Sequence, residues 1–495
     1  MDKQIYVSKL GCIISPYRKR QSPLIEQRTA IYDKVYHKWI DYVGFILPYR
    51  GRNCFITYNR PLSMLSKAFK DYAVDKLPEV PPHNLSRKLN LRNIDSFREA
   101  QTEIINNIED HLYKQRVWFV NLQTGIGKTV LSAYLSTVIN YKTWILCFSD
   151  DILNQWVKTY LNNTDIDPSK ILKVTGSIID KILAGEIDPE EFDVFLCTPT
   201  LLDRLGSRRS DYGKIDDLFR KCHIGLMIYD EAHRNVSNIV KITSVTDVKY
   251  QIYLSADFGQ GSYEKELMYK EIFKSVPILT PNEELQKSMK YTKLIIVDYN
   301  TYPNEIEKEE PFNKYGYSAE LYMQYQFKKG TIQKAIIHVI NSALKANDGY
   351  RILVLFNNIA HVDEMYLLLR DKYPNIDVGR FYGSMSNKKE KEHSKDHSKI
   401  IVATYGSFST GLDASNIKYV LSTNQCNKVA DNQSAGRARP LSDGSDAMYF
   451  MFVDNGFPYC RKKLKVRLSY LCKTKSKSEQ PYHFTFHPDV HGGEV

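Results

Sequence analysis

The sequence contains no run of roughly 20 consecutive apolar residues, the length that a helix needs to cross a bilayer. The basic residues near the N-terminus are not followed by a long apolar stretch, so no secretory leader is expected. The eight cysteines form neither a C-x-x-C pair nor a zinc-ligand cluster. These absences exclude membrane-spanning, disulfide-rich secreted and zinc-finger proteins, and we expect an intracellular, cytoplasmic protein with reduced thiols.

Charge is unevenly spread along the chain, whose formal net charge is +11. Residues 1–90 hold 16 Lys and Arg against 7 Asp and Glu, and residues 459–480 hold 8 against 1. The N-terminal part also places tyrosines beside arginines, as in YRKR, YRGR and YNR. Such basic ends favour a nucleic-acid partner, although an ordinary solvated surface would carry similar charge.

A chain of 495 residues exceeds the length that one hydrophobic core usually serves. Three prolines in the segment LPEVPPHN mark a first boundary, because proline continues neither a helix nor a central strand. Beyond it, apolar strand-like runs alternate with helical stretches in two series, which is typical of parallel sheets built from β-α-β units. The first series includes VWFVNL, TWILCF and GLMIYD, and the second includes KLIIVDY, RILVLF and KIIVATY.

The sequence therefore predicts an α/β fold with two tandem parallel-sheet domains and a small accessory domain in front of them. The predicted segments are a basic N-terminal accessory domain (1–90), two α/β domains (91–280 and 291–458) and a basic C-terminal tail (459–495). Because the proline-rich boundary separates the first segment, we expect residues 1–84 to be removable from a folded remainder.

A phosphate-binding loop is the sharpest local signal, since LQTGIGKT at 122–129 stands between a strand-like run and a helix-like run. The nucleotide-binding candidates in this loop are Thr124, Gly125, Gly127, Lys128 and Thr129. Backbone N–H groups and the helix N-terminus would face the phosphates, Lys128 would reach the β and γ oxygens, and the Thr129 hydroxyl would ligate Mg²⁺. Leu122 stands where the general pattern has a glycine.

An acidic pair, Asp230 and Glu231, ends the apolar run IGLMIY about a hundred residues later. Asp230 is the candidate Mg²⁺ ligand together with Thr129, and Glu231 is the candidate base that deprotonates the attacking water. His233 follows, either as a structural histidine or, as we favour, as a residue that couples hydrolysis to movement.

Positive charge for the transition state is expected from the segment QSAGRAR at 433–439. Gln433, Arg437 and Arg439 are the candidates. Arg437 and Arg439 would point the same way only in an extended segment, because side chains two residues apart diverge on a helical turn.

These motifs occur in the order of the superfamily 2 helicases of the DEAH kind, and residues 91–470 resemble such enzymes from large DNA viruses and phages. The resemblance implies two RecA-like domains that use ATP and Mg²⁺ and act on nucleic acid, DNA rather than RNA. It also makes Gln101 the candidate adenine contact. In the segment 403–413, similar to motif V, it places Thr410 and Gly411 near the nucleic acid or the nucleotide and Asp413 near the ribose.

Other segments resemble elements of the same family that touch the nucleic-acid backbone or transmit hydrolysis. FSDDILNQW at 148–156 and TPT at 198–200 resemble the backbone-contacting elements. In motif III, Ser-Ala-Asp at 255–257 stands where the family has Ser-Ala-Thr. In motif VI, the segment 433–439, Pro440 stands where the family spacing puts the last arginine. Both are departures from the family pattern.

Three functions are compatible with these patterns. The sequence of motif V and the basic tail that follows it most resemble those of phage recombination helicases that remodel branched DNA in replication and recombination. The next resemblance is to transcript-release helicases of large DNA viruses, which would make the chain a transcript-release factor or an RNA helicase. The third is an inactive nucleic-acid-binding module whose altered motifs III and VI have abolished turnover. Replication, recombination or transcription proteins are the expected partners.

Overall fold

A computed structural model of the protein describes most of the chain. The described residues are 3–17, 31–33, 38–40, 44–58, 69–92, 97–122, 127–234, 236–255, 263–288, 290, 292–314, 316–410, 414, 416–423, 431, 434–437, 441, 443–474, 476–478 and 480–488. They divide into two compact units, residues 1–282 and 283–495, and each is described by itself below.

Unit 1 begins with a largely antiparallel sheet. Its strands, with a short separate hairpin formed by the third and fourth, are β1 (Gln4–Val7), β2 (Gly11–Ser15), β3 (Ile31–Asp33), β4 (Lys38–Ile40), β5 (Gly44–Tyr49), β6 (Arg52–Tyr58) and β7 (Ala73–Lys76). The order is β5-β6-β2-β1-β7, and β1 and β7 run parallel. The central strand β2 is buried on both faces, because Cys12 and Ile14 enter one hydrophobic cluster and Ile13 enters another.

The rest of unit 1 is a parallel α/β sheet. Its strands are β8 (Val117–Asn121), β9 (Thr143–Leu146), β10 (Ile171–Lys173), β11 (Val194–Cys197), β12 (Leu226–Tyr229), β13 (Tyr250–Ser255) and β14 (Ile278–Leu279). Its helices are α1 (Glu99–His111), α2 (Lys128–Ile139), α3 (Asp150–Asn163), α4 (Gly176–Ala184), α5 (Pro199–Arg208), α6 (Gly213–Lys221), α7 (Val236–Val245) and α8 (Tyr263–Ile272).

The strand order of this sheet is β10-β11-β9-β12-β13-β8-β14, with parallel pairing throughout the described strands. The strands β9, β11 and β12 are buried at every residue, as expected of strands covered by helices on both faces. Functional groups in such sheets gather at the carboxyl ends of the strands, where β8 and β12 here lead into the phosphate loop and the acidic pair.

The first sheet packs directly on the α/β part of unit 1. Ile13 and Ile56 belong to the same hydrophobic cluster as Phe119 of β8. Helix α7 lies against β2 and β6, where the Ser244 hydroxyl donates to the Thr57 carbonyl at 3.0 Å. Removing residues 1–84 would therefore expose apolar surface, and we expect a loss of stability rather than the clean separation that the proline-rich boundary suggested. The predicted domain boundaries themselves stay a prediction.

Gly11 provides a test of this packing. A Cβ atom at Gly11 would lie 1.9 Å from Ser244 Oγ and 2.7 Å from Ser244 Cα, so the backbones of β2 and α7 would have to move apart. We expect Gly11→Ala to lower the free energy of unfolding by about 1–3 kcal/mol, measured by denaturant unfolding. Gly176→Ala is the matched control, because its nearest contact would be Leu201 Cδ1 at 4.0 Å. Equal stability of the two variants would contradict close packing of the first sheet on α7.

Unit 2 is a second parallel α/β sheet. Its strands, with a short hairpin formed by the first two after β15, are β15 (Thr292–Tyr299), β16 (Phe312–Asn313), β17 (Gly316–Tyr317), β18 (Arg351–Phe356), β19 (Val378–Phe381), β20 (Ile400–Thr404), β21 (Ile417–Ser422), β22 (Ala447–Asp454) and β23 (Tyr482–Thr485). Its helices are α9 (Glu283–Ser288), α10 (Ala319–Lys329), α11 (Thr331–Lys345), α12 (Ile359–Lys372), α13 (Lys388–Asp396) and α14 (Pro458–Thr474).

The order of the second sheet is β19-β20-β18-β21-β22-β15-β23, again parallel. The predicted fold class, two parallel-sheet α/β domains preceded by a smaller N-terminal sheet, is confirmed. The segment predicted as a basic tail contributes regular structure, because it supplies helix α14 and edge strand β23 of this sheet.

Candidate active site

The described part of the phosphate loop is its last turn, where β8 passes into α2. Gly127 has a φ of 90°, a left-handed conformation that favours glycine, and Lys128 is the first residue of α2. Lys128 is only 8% exposed, and Thr129 follows it at the helix N-terminus, where backbone N–H groups and the helix dipole favour an anion. Thr124 and Gly125 lie outside the described residues.

Leu122 is fully buried, and its backbone N–H donates to the Ser255 carbonyl at 2.9 Å. This bond continues the pairing of β8 with β13 into the start of the loop. The leucine thus serves as a core residue at the position where a glycine was expected.

The acidic pair follows β12. Glu231 has a φ of 50°, and this left-handed backbone aims its carboxylate at α2, where Lys128 Nζ donates to Glu231 Oε1 at 3.3 Å. Burial by itself raises the pKa of Glu231, but the positive charges of Lys128, His233 and Arg234 outweigh it and lower that pKa to about 2. Glu231 Oε2 is buried 3.1 Å from His233 Nδ1 and has no hydrogen-bond partner within the described chain.

Asp230 is held on both of its carboxylate oxygens. Trp156 Nε1 of α3 donates to Asp230 Oδ2 at 2.9 Å, and the backbone N–H of Glu231 donates to Asp230 Oδ1 at 2.9 Å. Burial, followed by the negative charge of Glu231, raises the pKa of Asp230. Positive charge stabilises two neighbouring carboxylates that are largely shielded from water. The site formed by Asp230 and Glu231 after β12 therefore suits a metal cation or a cationic side chain.

His233 connects the acidic pair to the end of β13. Its Nδ1 atom lies 2.8 Å from Ser255 Oγ, and the ring is 2% exposed. Ser255 is the first residue of the predicted motif III, while Ala256 and Asp257 lie outside the described residues. His233 thus lies between Glu231 and Ser255 at the end of β13, as a residue that couples hydrolysis to movement requires. That role stays a prediction.

Gln101 lies beside the phosphate loop. Its Nε2 atom donates to the Gly127 carbonyl at 3.2 Å, and its Oε1 atom accepts from the Arg98 backbone N–H at 2.9 Å. The residue caps the first turn of α1 and ties that helix to the phosphate loop. The predicted contact with adenine is untested by this geometry.

In unit 2 the structure describes only part of the predicted site. Gly411, Asp413, Gln433 and Arg439 lie outside the described residues. Arg437 is half-buried, and its backbone N–H donates to the Ser434 carbonyl at 3.0 Å. Residues 434–437 therefore form a turn. Arg437 and Arg439 were expected to point the same way only in an extended segment, and residues 434–437 are not extended.

Sequence reasoning missed the role of Trp156. The family resemblance predicts that the segment 148–156 contacts the nucleic-acid backbone. In the structure, the Trp156 side chain at the end of this segment is buried and donates a hydrogen bond to Asp230. A signal was available, because Leu153, Trp156 and Tyr160 recur at helical spacing and form the buried face of α3.

Two of the tyrosines that the N-terminal pattern places beside arginines are buried in unit 1. Tyr49 and Tyr58 are 5% and 3% exposed, and Arg50 Nη2 is paired with Asp216 Oδ2 at 2.8 Å. The two tyrosine rings are therefore interior side chains, whereas Arg50 is exposed and held by an ion pair. Arg18, Arg20 and Arg60 lie outside the described residues, and a nucleic-acid role of this region stays a prediction.

Comparison with known proteins gives two domain matches. Residues 94–259 match "Type III restriction enzyme, res subunit", and residues 333–439 match "Helicase conserved C-terminal domain". The chain is thus a superfamily 2 nucleic-acid-dependent ATPase of the helicase type, which confirms the predicted enzyme class and its use of ATP.

Within that class the chain resembles the ATP-dependent DNA helicase uvsW of Enterobacteria phage T4, with 23% identity over 86% of each chain. A second relative is the general transcription and DNA repair factor IIH helicase/translocase subunit XPB of Encephalitozoon cuniculi, 27% identical over 148 residues. That match covers 30% of this chain, and the chain spans only 21% of the XPB subunit.

The fold is similar to that of Mss116p bound to ssRNA and AMP-PNP, with a TM-score of 0.52 and 14% identity over 80% of this chain and 75% of the other. This likeness supports the RecA-like architecture alone. No helix in the described part of the chain combines the length and apolar character needed to cross a bilayer.

Proposed function

We propose that the chain is a DNA helicase or translocase that couples ATP hydrolysis to the remodelling of branched DNA in viral or phage replication and recombination. The observation that carries the proposal is the continuous set of contacts from Lys128 through Glu231 and His233 to Ser255. These contacts connect Lys128 of the phosphate loop to Ser255, the last residue of β13 and the first of motif III. The resemblance to the T4 DNA helicase over most of both chains supports DNA as the substrate.

Lys128 changes partner in this mechanism. Without nucleotide it neutralises Glu231, and with nucleotide it pairs with the β and γ oxygens. Glu231 Oε1 is then released to accept a proton from the attacking water, next to the buried Oε2 atom. Arg437 would stabilise charge on the γ-phosphate, and Gln433, Arg439, Gly411 and Asp413 are proposed to assist in nucleotide contact.

Mg²⁺ fits the donor set. Thr129 offers a hydroxyl oxygen at the helix N-terminus and Asp230 a buried carboxylate, and hard oxygen ligands are those that Mg²⁺ prefers. The ion would supply positive charge to the phosphate oxygens. Trp156 and the Glu231 backbone orient the Asp230 carboxylate for this purpose.

The test is phosphate release measured with single-stranded DNA, a branched DNA junction and RNA at matched nucleotide concentration. Stimulation should be greatest with the junction. Stimulation by RNA alone would contradict the proposal and would favour the second candidate, a transcript-release factor or RNA helicase.

Trp156→Phe should lower turnover by about 10- to 100-fold, because it removes the donor that orients Asp230 while leaving most of the core volume filled. Steady-state ATP hydrolysis with saturating DNA measures the effect. Trp144→Phe is the matched control, since Trp144 is equally buried and its Nε1 atom donates to Cys197 Sγ at 3.3 Å, away from the site. Similar turnover in both variants would remove Trp156 from the site.

A further inference from the structure

A buried ion pair lies next to motif VI in unit 2. Asp431 is 0% exposed, and Arg467 of α14 donates to both of its oxygens, Nη2 to Oδ1 at 2.7 Å and Nε to Oδ2 at 2.8 Å. Tyr449 donates to Oδ1 at 3.1 Å, and Tyr470 donates to Oδ2. The carboxylate is thus fixed in position by the planar fork of one arginine and by two phenols.

The same arginine also reaches motif V. Arg467 Nη2 donates to Ser422 Oγ at 2.8 Å, and Ser422 Oγ lies 2.7 Å from Tyr405 Oη. Tyr405 begins the helical turn Tyr405–Thr410 that follows β20 and forms the middle of motif V. One guanidinium is therefore connected through Ser422 to Tyr405 of motif V, and it binds Asp431 just before motif VI.

A further set of bonds leads from Asp431 to Arg437. Ser434 Oγ donates to the Asp431 carbonyl at 3.0 Å and lies 2.8 Å from Tyr449 Oη. The Ser434 carbonyl in turn accepts from the Arg437 backbone N–H at 3.0 Å. A shift of Asp431 would therefore be passed on to the backbone of Arg437.

We propose that Arg467 is a positioning residue for ATP hydrolysis, which holds the turn carrying Arg437 through Asp431 and the start of motif V through Ser422. The inference rests on the proposed role of Arg437. Burying two charges costs desolvation energy, and a well-packed apolar pair usually stabilises a core as much or more. Positional control is the function that the ion pair serves better than an apolar pair.

The basic C-terminal segment contains both exposed and buried charged side chains. Arg461, Lys462, Lys463 and Lys465 are exposed and available to a polyanion, whereas Arg467 in the same helix is buried. The charge pattern alone grouped all of these residues as one nucleic-acid surface.

Arg467→Met and Arg467→Lys test the proposal in the full-length chain. Each should lower the kcat of DNA-stimulated hydrolysis by about 100-fold, because displacement of a charge-stabilising group by about 1 Å has that cost. The affinity for a fluorescent ATP analogue should stay close to that of the wild type. Lysine should not rescue turnover, since an ammonium cannot make the bidentate contact.

Arg351→Met is the matched control for loss of a buried arginine in unit 2. Arg351 is 8% exposed, and its guanidinium donates to the carbonyls of Ser394, Lys395 and Ser398, outside both motifs. This variant should lose thermal stability and keep its kcat per folded molecule. A matching loss of kcat in Arg351→Met would overturn the positioning role.

The double variant Arg467→Met with Asp431→Leu covers the case in which the single variants fail to fold. Apolar replacement of both partners should restore the thermal midpoint but leave kcat low. A double variant with wild-type kcat would overturn the inference. Arg437→Ala, measured beside it, separates the two hypotheses. Normal hydrolysis in Arg437→Ala would mean that the proposed role of Arg437 is wrong. Loss of hydrolysis in Arg437→Ala together with an active double variant would refute only the positioning role of Arg467.

Discussion

Lys128→Ala should abolish ATP hydrolysis, with a fall in kcat of at least about 1,000-fold. The ammonium is 8% exposed at the start of α2, so solvent cannot replace its charge opposite the phosphates. Before nucleotide binds, the variant also leaves the Glu231 carboxylate without its lysine partner, so we expect lower stability as well. Phosphate release at saturating DNA is the measurement.

Lys142→Ala is the control for Lys128→Ala. Lys142 is 2% exposed, and its Nζ atom lies 2.8 Å from Glu190 Oε2 and 3.1 Å from the Pro189 carbonyl, so it is a buried lysine with a purely structural set of partners. We expect lower stability and unchanged kcat. Normal turnover in Lys128→Ala would refute the nucleotide site.

Glu231→Gln should retain ATP binding and lose turnover by about 100- to 10,000-fold, because the amide cannot accept the proton of the attacking water. The substitution preserves the size of the side chain and its contact with Lys128. Nucleotide affinity and single-turnover hydrolysis distinguish loss of binding from loss of chemistry. The variant should remain saturable with ATP.

Glu190→Gln is a suitable comparison for Glu231→Gln, since Glu190 also pairs with a lysine but lies at the surface of unit 1. Its turnover should match the wild type. If Glu231→Gln hydrolysed ATP at the same rate as Glu190→Gln, another group would have to act as the base.

The fold followed from local patterns. Largely apolar runs such as those at β9 and β12 indicate strands covered on both faces, and their alternation with helical stretches predicts a parallel sheet. The same logic placed Lys128 after β8 and Asp230 after β12, because loops at the carboxyl ends of parallel strands share one edge. The structure brings these residues together with Glu231 and His233.

The parts that escaped prediction depend on side chains that meet across long stretches of sequence. Trp156 and Asp230 are 74 positions apart, and Arg467 and Asp431 are 36 apart. Periodicity assigns each of these residues to a face of its own element, but it does not specify which residue of another element lies opposite. A charge count also does not separate an exposed arginine such as Arg461 from one buried against a carboxylate such as Arg467.

The left-handed backbone conformation of Glu231 lowers the stability of the folded chain. A left-handed conformation is unfavourable for a residue with a long side chain, by roughly 1 kcal/mol relative to glycine, and glycine or asparagine would occupy the position more comfortably. Glu231→Gly would relieve this strain, but it would also leave the buried Lys128 ammonium without its carboxylate partner. The left-handed backbone at Glu231 is therefore retained by its surroundings, since the contact with Lys128 is made by a side chain that glycine lacks.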